Sequence, residues 1–474
     1  ECPTRMLSAT RPLRVAAVEG GGGGVVHLVS QLMSQQGLEL SDSAKHMLRV
    51  AEHPLSSTLV TATGLAVEVV ETSPLLKASS NYRKFSTPFS GLDVTFLGTA
   101  SSRPTLLRGL SSIFVKGSEN LLFDCGEGTQ TQAVRARVPV SKLSSIFVTH
   151  MHGDHCYGLC SLLCGSKFER SEELPPLNLF GPRNLFKLLQ STFQASYNRP
   201  RGVVCHEMHT LPERDSTSPA SVLGSKSSPQ RFDRFHELFR KDLHPKSPAN
   251  QSIVCLETSD IRVTAHPIQH TVPCWGYVLE EAEIQGRIDA EKCTALGLPP
   301  CREYQQLKKG IPVRLSNGTV IHPEDVTEAP RKGRKIVFLG DTHDPSAIAE
   351  LAMDADVLIH EATMDARFSL DECAKRGHSN AEMAGKFAAK IRAGMLVLTH
   401  FSPRQDSEDA VEDTESLCKE AMKHVLPGTP VIAASDFCTL RIGRHGSPMK
   451  SQIEKNAPHA EQLPTSPPCT KQSV

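Results

Sequence analysis

A short segment, Val148–His155 (VTHMHGDH), constrains the fold of this 474-residue chain more than any other feature. An apolar, strand-like run leads into a turn that holds three imidazoles and one carboxylate within six residues. Side chains at i and i+2 of an extended segment point the same way, so His150 and His152 can share one metal ion. Asp154 and His155, past the turn, can serve a second ion, and these ligand types suit zinc. The alternative is a histidine-rich turn without metal, in which every imidazole must find another partner.

Four neighbouring residues cannot complete two zinc coordination shells, so further ligands are expected later in the chain. Three candidates stand at the ends of apolar runs, namely His270, Asp341 and His400. Taken singly, a histidine beside apolar residues is more often a core residue. Together these three complete the set, and Asp341 is the natural bridging ligand because two carboxylate oxygens can span ions about 3.5–4 Å apart.

The composition excludes several classes of protein. Lys and Arg number 52, as do Asp and Glu, so the net charge is zero and only a local basic patch can bind nucleic acid. Apolar residues make up 39%, enough for a sizeable core. No apolar run approaches the ~18–20 residues that span a bilayer, so we expect a soluble protein with no membrane partner. The 14 cysteines lack C-x-x-C spacing, which is typical of reduced thiols in an intracellular protein.

Composition also divides the chain into parts. Residues 1–90 are predicted to be a flexible N-terminal extension, compatible with a transit peptide to a plastid or mitochondrion; without one, we expect the cytoplasm or nucleus. Residues 91–442 have the pattern of one dense α/β domain. Two polar stretches interrupt it, a surface insertion at 212–250 and an arm at 286–333 that we expect to protrude. Residues 443–474 are predicted to form a disordered tail.

Six β-rich runs of the α/β domain are predicted to be strands: Leu92–Leu97, Ser112–Val115, Leu121–Asp124, Ser145–Thr149, Ile336–Gly340 and Met395–Thr399. Most of them end in or lead up to Gly, Asp or His. Chemistry is commonly located on such loops, because a rigid sheet holds them in place. We therefore expect the candidate ligands to meet at strand ends.

With these residues assembled, the chain resembles the metallo-β-lactamase superfamily and, within it, the short form of the tRNase Z family of tRNA 3′-processing endoribonucleases. The resemblance runs from Asp93 to Ile442. Besides Val148–His155, it is carried by DVTFLGTA from Asp93, LFDCGEGTQ from Leu122, HEAT from His360, GHS from Gly377 and LTHFS from Leu398. The GHS and THFS elements separate the family from lactamases and glyoxalase-like hydrolases.

The resemblance implies a four-layered αβ/βα sandwich that binds two zinc ions per subunit. The implied ligands are His150, His152, Asp154, His155, His270, Asp341 and His400. The implied reaction removes the 3′ trailer from precursor tRNA and leaves a 3′-hydroxyl, in an enzyme that is commonly a homodimer. The 286–333 stretch resembles the family's exosite arm, which grips tRNA, and Lys308 and Lys309 stand near its tip. Pro300, Cys301 and Arg302 occupy the place where the family usually has a Gly-Pro pair.

Phosphodiester hydrolysis needs an activated water and protonation of the leaving oxygen, and this suggests further roles. Asp154 is the candidate general base. His378 is not needed as a ligand and is the candidate acid or hydrogen-bond donor. Glu361 is expected either to orient His378 or to serve as a helix cap. Arg108 is a candidate substrate contact, with an ordinary solvated arginine as the alternative.

Two rival functions remain open on the sequence. A two-zinc hydrolase of another phosphodiester, or of a small ester, thioester or lactam, would share the site but has no evident use for a long polar arm. A non-catalytic RNA-binding or structural subunit would share the fold. All seven expected ligand positions are filled, which argues against such a decayed site.

Overall fold

The computed structural model describes residues 55–71, 91–165, 175–198, 200, 202–211, 238–247, 249–283, 286, 288–328, 330–406 and 413–445. Most of the predicted N-terminal extension, most of the first insertion and the predicted tail from residue 446 onwards lie outside these residues. Among the described helices, none has the length and apolar character that crossing a membrane requires.

The described strands are β1 Leu55–Val60, β2 Ala66–Glu71, β3 Asp93–Gly98, β4 Ser112–Lys116, β5 Asn120–Phe123, β6 Ser145–Phe147, β7 Leu177–Pro182, β8 Val203–Met208, β9 Leu238–Leu243, β10 Ile253–Glu257, β11 Ile261–Ile268, β12 Cys274–Glu281, β13 Val313–Arg314, β14 Val320–Ile321, β15 Lys335–Phe338, β16 Val357–Glu361, β17 Leu396–Thr399, β18 Val431–Ala433 and β19 Thr439–Ile442. The described α-helices are α1 Thr129–Ala136, α2 Gly153–Cys156, α3 Gly158–Cys164, α4 Leu185–Ala195, α5 Ala290–Ala295, α6 Tyr304–Lys308, α7 Pro323–Val326, α8 Ala349–Ala352, α9 Leu370–Arg376, α10 Ala381–Lys390 and α11 Thr414–Met422. Short 3-10 turns span Val140–Lys142, Ser346–Ile348 and Pro403–Asp406.

Two large sheets form the centre of the molecule. The first has ten strands in the order β1-β2-β19-β3-β4-β5-β6-β7-β8-β9, and the second has seven in the order β10-β11-β12-β15-β16-β17-β18. Strands β5 to β9 run parallel to one another, as do β15 to β18. The six strands predicted from the sequence are confirmed as β3, β4, β5, β6, β15 and β17, each within two residues.

Aromatic side chains fill the space between the two sheets. Phe123 of the first sheet stacks on Phe338 of the second, with ring centroids 3.8 Å apart. Phe147 stacks on Phe123 at 4.9 Å and meets the edge of Tyr277 at 5.4 Å. The Tyr277 hydroxyl donates to the carbonyl oxygen of Val148 at 2.6 Å. Because these rings are almost fully buried, they lock the end of β6 in position directly before the histidine cluster.

Helices cover the outer faces of both sheets. A cluster that includes Leu159, Leu162 and Leu189 packs α3 and α4 against the first sheet. A second cluster, which includes Phe387 and Leu417, packs α10 and α11 against the other. The layers therefore follow the order αβ/βα, and the four-layered metallo-β-lactamase fold expected from the sequence is confirmed.

Two predicted boundaries are wrong. The folded domain does not start near residue 91, because the hairpin β1–β2 pairs antiparallel with β19 and extends the first sheet. The alternation in Ala66–Glu71 is the missed signal, since Val67 and Val69 face the buried core. The insertion at 212–250 is also shorter than predicted, because β9 lies within it and pairs with β8.

The arm region 286–333 has a small core of its own. Six buried side chains form it: Cys293, Leu298, Leu307, Val313, Ile321 and Val326. At its base the buried Arg334 forms an ion pair with Glu281 and donates to the carbonyl oxygen of Ile442. These contacts join both stems of the arm to the main sheets.

Candidate metal centre

The expected ligands meet where strands from both sheets end. The segment after β6 contributes His150 and His152, and α2 begins at Gly153 and contributes Asp154 and His155. From the second sheet, His270 lies between β11 and β12, Asp341 follows β15, and His400 follows β17. The seven residues thus meet at one edge of the interface between the two sheets.

The seven residues form two groups. In the first, one ligand atom each from His150, His152, His270 and Asp341 lies within 4.8 Å of all the others. In the second, Asp154, His155 and His400 meet the same criterion. Nε2 of His155 lies only 3.0 Å from Nε2 of His400, and Nε2 of His150 lies 3.0 Å from Nδ1 of His152.

Asp341 lies between the groups. Its Oδ2 is 3.6 Å from Nε2 of His150, while its Oδ1 is 3.3 Å from Nε2 of both His155 and His400. The side chain is buried, and Oδ1 has no hydrogen-bond partner within the described structure. A buried carboxylate oxygen without a donor is costly, and this one is placed to bind a cation.

The hydrogen bonds of the imidazoles indicate which ring nitrogens could bind a metal ion. Nδ1 of His155 lies 2.7 Å from the carboxylate of Asp124, and Nδ1 of His270 lies 2.7 Å from the carbonyl oxygen of Gly377. These oxygens only accept, so both Nδ1 atoms carry a hydrogen, and in the neutral ring Nε2 is the nitrogen that presents a lone pair. Lone pairs that converge at such distances repel one another unless a cation lies between them. The donor set therefore fits zinc.

His400 is oriented in the same way. Thr363 donates its hydroxyl hydrogen to the backbone carbonyl oxygen of His400 at 2.9 Å, so its Oγ1 accepts from Nδ1 of the same residue at 2.9 Å. His400 has a left-handed backbone conformation with φ of 58°, and Asp124 has φ of 57°. Non-glycine residues in this region cost about 1–3 kcal/mol each and are common at functional sites.

The local electrostatics act on the ligands in two ways. Burial alone would lower the pKa of His155, but the charges of Asp341 and Asp124 raise it well above the usual range, so a zinc ion would replace a proton on this ring. Burial lowers the pKa of His150 and of His270, which favours the neutral imidazole. Burial alone would raise the pKa of Asp154 and of Asp341. The neighbouring histidines, His400 and His155 foremost, outweigh it and hold both pKa values below the usual range, so these carboxylates are ionised.

His378 and Glu361 form a pair at the edge of the site. Nδ1 of His378 lies 3.2 Å from each carboxylate oxygen of Glu361, and the amide of Thr342 donates to the same carboxylate at 2.7 Å. Burial alone would lower the pKa of His378, but the charges of Glu361 and Asp341 raise it to about 9. Of the two roles left open for Glu361, the contacts favour orienting His378, which is charged at neutral pH.

Asp154 has a backbone donor that the sequence did not reveal. The backbone amide of Ser102 donates to Oδ2 of Asp154 at 2.6 Å. Nε2 of His400 lies 3.5 Å from the same oxygen. Ser102 has a left-handed conformation with φ of 63°. The loop after β3 therefore fixes the candidate base.

Arg108, a predicted substrate contact, lies largely enclosed in the protein. Its guanidinium forms an ion pair with Asp406 at 3.0 Å, donates to Thr99 and Ala434, and lies 4.6 Å from the ring centroid of Phe401. The Arg108 side chain is 11% exposed, so its contacts stabilise the loop between β3 and β4 from inside the protein. Lys308 and Lys309 are exposed at the end of α6 in the arm, and neither belongs to the ligand groups.

A separate cluster of Glu207, His209 and Asp242 also brings potential ligand atoms together. Arg240 lies 3.0 Å from the first carboxylate and 2.8 Å from the second. Because Arg240 already forms ion pairs with both carboxylates, we interpret this cluster as an ion-pair network.

Comparisons with known proteins agree with this geometry. The family model for anti-Pycsar protein Apyc1 matches residues 92–210, less than half of the chain. Zinc phosphodiesterase ELAC protein 1 of Homo sapiens is 34% identical over 369 residues, covering 74% of this chain and 98% of that protein. Ribonuclease Z of Brevibacillus brevis is 34% identical over 361 residues, covering 75% of this chain and 98% of the relative.

The chain belongs to the ribonuclease Z family. Among solved structures, human tRNase Z, short form (ELAC1), is similar to it with 28% identity and a TM-score of 0.48, covering 73% of this chain and 98% of that one. The Brevibacillus brevis relative is matched along nearly its whole length.

Proposed function

We propose that this member of the ribonuclease Z family is a zinc-dependent endoribonuclease that removes the 3′ trailer from precursor tRNA and leaves a tRNA 3′-hydroxyl. One observation carries the proposal: seven His and Asp side chains from two sheets converge into two groups that share Asp341. Family membership gives the substrate class, since a human relative is named tRNase Z.

Two zinc ions per subunit would be held by His150, His152, Asp154, His155, His270, Asp341 and His400. When bound, they supply a water of lowered pKa and neutralise charge on the phosphate oxygens. Asp154 accepts the proton of the attacking water, and the Ser102 amide keeps the accepting carboxylate in place. His378 donates to the leaving 3′-oxygen, because Glu361 holds its ring in orientation and in the charged form.

The arm would bind the body of the tRNA. Lys308 and Lys309 are exposed on it and are suited to phosphate contacts, which dominate the recognition of A-form RNA. We also propose a homodimer, in which the arm of one subunit holds tRNA cut by the other. A precursor-tRNA substrate places the protein in a compartment where tRNA matures: the nucleus, the cytoplasm, a plastid or a mitochondrion.

The deciding experiment is cleavage of an end-labelled precursor tRNA with a short 3′ trailer. The zinc-loaded protein should cut directly after the discriminator base. Asp154→Ala and chelator-treated protein should not cut. If zinc-loaded wild type leaves the precursor intact, the tRNA substrate is refuted, and hydrolysis of another phosphodiester or of a small ester or thioester becomes the function to test.

A further inference from the structure

Tyr157 is a large aromatic side chain at the edge of the metal centre, and the reaction chemistry described above does not use it. It follows α2 directly, two residues after His155, and is 61% exposed. Its neighbours along α3, Leu159 and Leu162, are buried in the core instead. The ring is therefore presented to solvent next to the ligands.

The ring has a fixed place against the backbone of the cluster. A Cβ atom added to Gly153 would lie 2.3 Å from Cε2 and 2.5 Å from Cδ2 of Tyr157, so the ring rests directly on this glycine. Gly153 separates His152, a member of the first ligand group, from Asp154, a member of the second. The ring consequently lies against the short segment that links the two ligand groups.

We propose that the Tyr157 ring stacks on a base adjacent to the scissile phosphodiester and thereby positions the RNA strand for cleavage. This inference rests on the proposed function and adds a substrate-binding residue to it. Bases at a 3′ end are not locked in a duplex, and single-stranded bases are characteristically bound by stacking on aromatic rings. Stacking tolerates any base, which suits trailers of varied sequence.

Two substitutions of Tyr157 distinguish the contribution of the ring from that of the hydroxyl group. Tyr157→Ala should lower kcat/KM for precursor tRNA by about 5- to 150-fold, the range expected for the loss of one base–aromatic stack. Tyr157→Phe keeps the ring and should stay close to wild type. Tyr197→Ala is the matched control, since Tyr197 is 91% exposed and lies after α4, away from the ligand-bearing loops. Zinc content should equal that of wild type in all three variants.

Two modified precursors identify the base. Each lacks one base, on the 5′ or on the 3′ side of the scissile phosphodiester. Wild type and Tyr157→Ala should cleave one of them at equal rates, because the stacking partner is missing, while the defect of the variant persists on the other. A defect that persists on both substrates, or a Tyr157→Phe variant as slow as Tyr157→Ala, would overturn the proposal.

Two further outcomes would each refute a different proposal. If Tyr157→Ala changes the sedimentation of the protein from that of wild type, the ring is a subunit contact and the stacking proposal fails. If wild type cleaves no precursor tRNA at all, the proposed function fails, independently of Tyr157.

Discussion

Asp124 should control zinc affinity although it does not belong to either ligand group. Its carboxylate lies 2.7 Å from Nδ1 of His155 and also accepts from the amide of Thr149 at 2.8 Å. In Asp124→Asn, the amide group no longer supplies a charged acceptor, so the ring of His155 loses orientation and basicity. Such outer partners are typically worth 10- to 100-fold in metal affinity, or about 1.4–2.7 kcal/mol.

The assay is zinc retention during titration with a competing chelator, measured on the folded protein. Asp356→Asn is the matched control, because Asp356 is also buried and its carboxylate lies 3.1 Å from Nε2 of His445, outside the metal centre. Both variants should lose some stability, but only Asp124→Asn should lose zinc affinity. Equal zinc affinity in Asp124→Asn and wild type would refute the argument that this carboxylate fixes the tautomer of His155.

Three other perturbations test separate parts of the structure. Replacing 286–333 by a short linker should abolish cleavage of precursor tRNA and spare hydrolysis of bis(p-nitrophenyl) phosphate; retained tRNA cleavage would show that the arm is dispensable. Lys308→Ala with Lys309→Ala should weaken tRNA binding and reduce the slope of log affinity against log salt by up to about 2, measured by filter binding at several salt concentrations. Arg108→Ala should lower the free energy of unfolding by roughly 2–4 kcal/mol in urea titration, because Asp406 loses its partner; an unchanged urea midpoint would contradict a bracing role.

The metal ligands were the part of the site best predicted from the sequence, because their residue types suit zinc and they follow recognisable strands. His150, His152, Asp154 and His155 were predictable because few folds tolerate such crowding without a metal. Strands leading into His270, Asp341 and His400 were recognisable as apolar runs. The strands before Asp341 and His400 belong to the parallel part of the sheet, so their ends meet at one edge. The strand before His270 reaches the same edge because two successive antiparallel pairings restore its direction.

The supporting contacts were not predictable in the same way. Asp124 stands in a recognised motif, but its contact with His155 depends on how β5 and β6 pair. Thr363 reaches His400 across the neighbouring strands β16 and β17. The surroundings of Arg108 were not predictable either, because a lone arginine in a polar loop gives no sign that Asp406 and Phe401 will enclose it.

The division of the ligands between the sheets has a consequence for stability. The loop after β6 supplies four ligands, and the second sheet supplies His270, Asp341 and His400. Zinc bound by ligands from both sheets would therefore link the sheets at this edge. A zinc ion that binds only the folded state raises the free energy of unfolding by about 2.7 kcal/mol when the free zinc concentration is 100 times Kd. Chelation should therefore lower the Tm by roughly 3–4 °C for each ion removed, measured in a scanning calorimeter, and re-addition of zinc should restore it. An unchanged Tm would show that the sheets close without the metal, and that the site is held open by the fold alone.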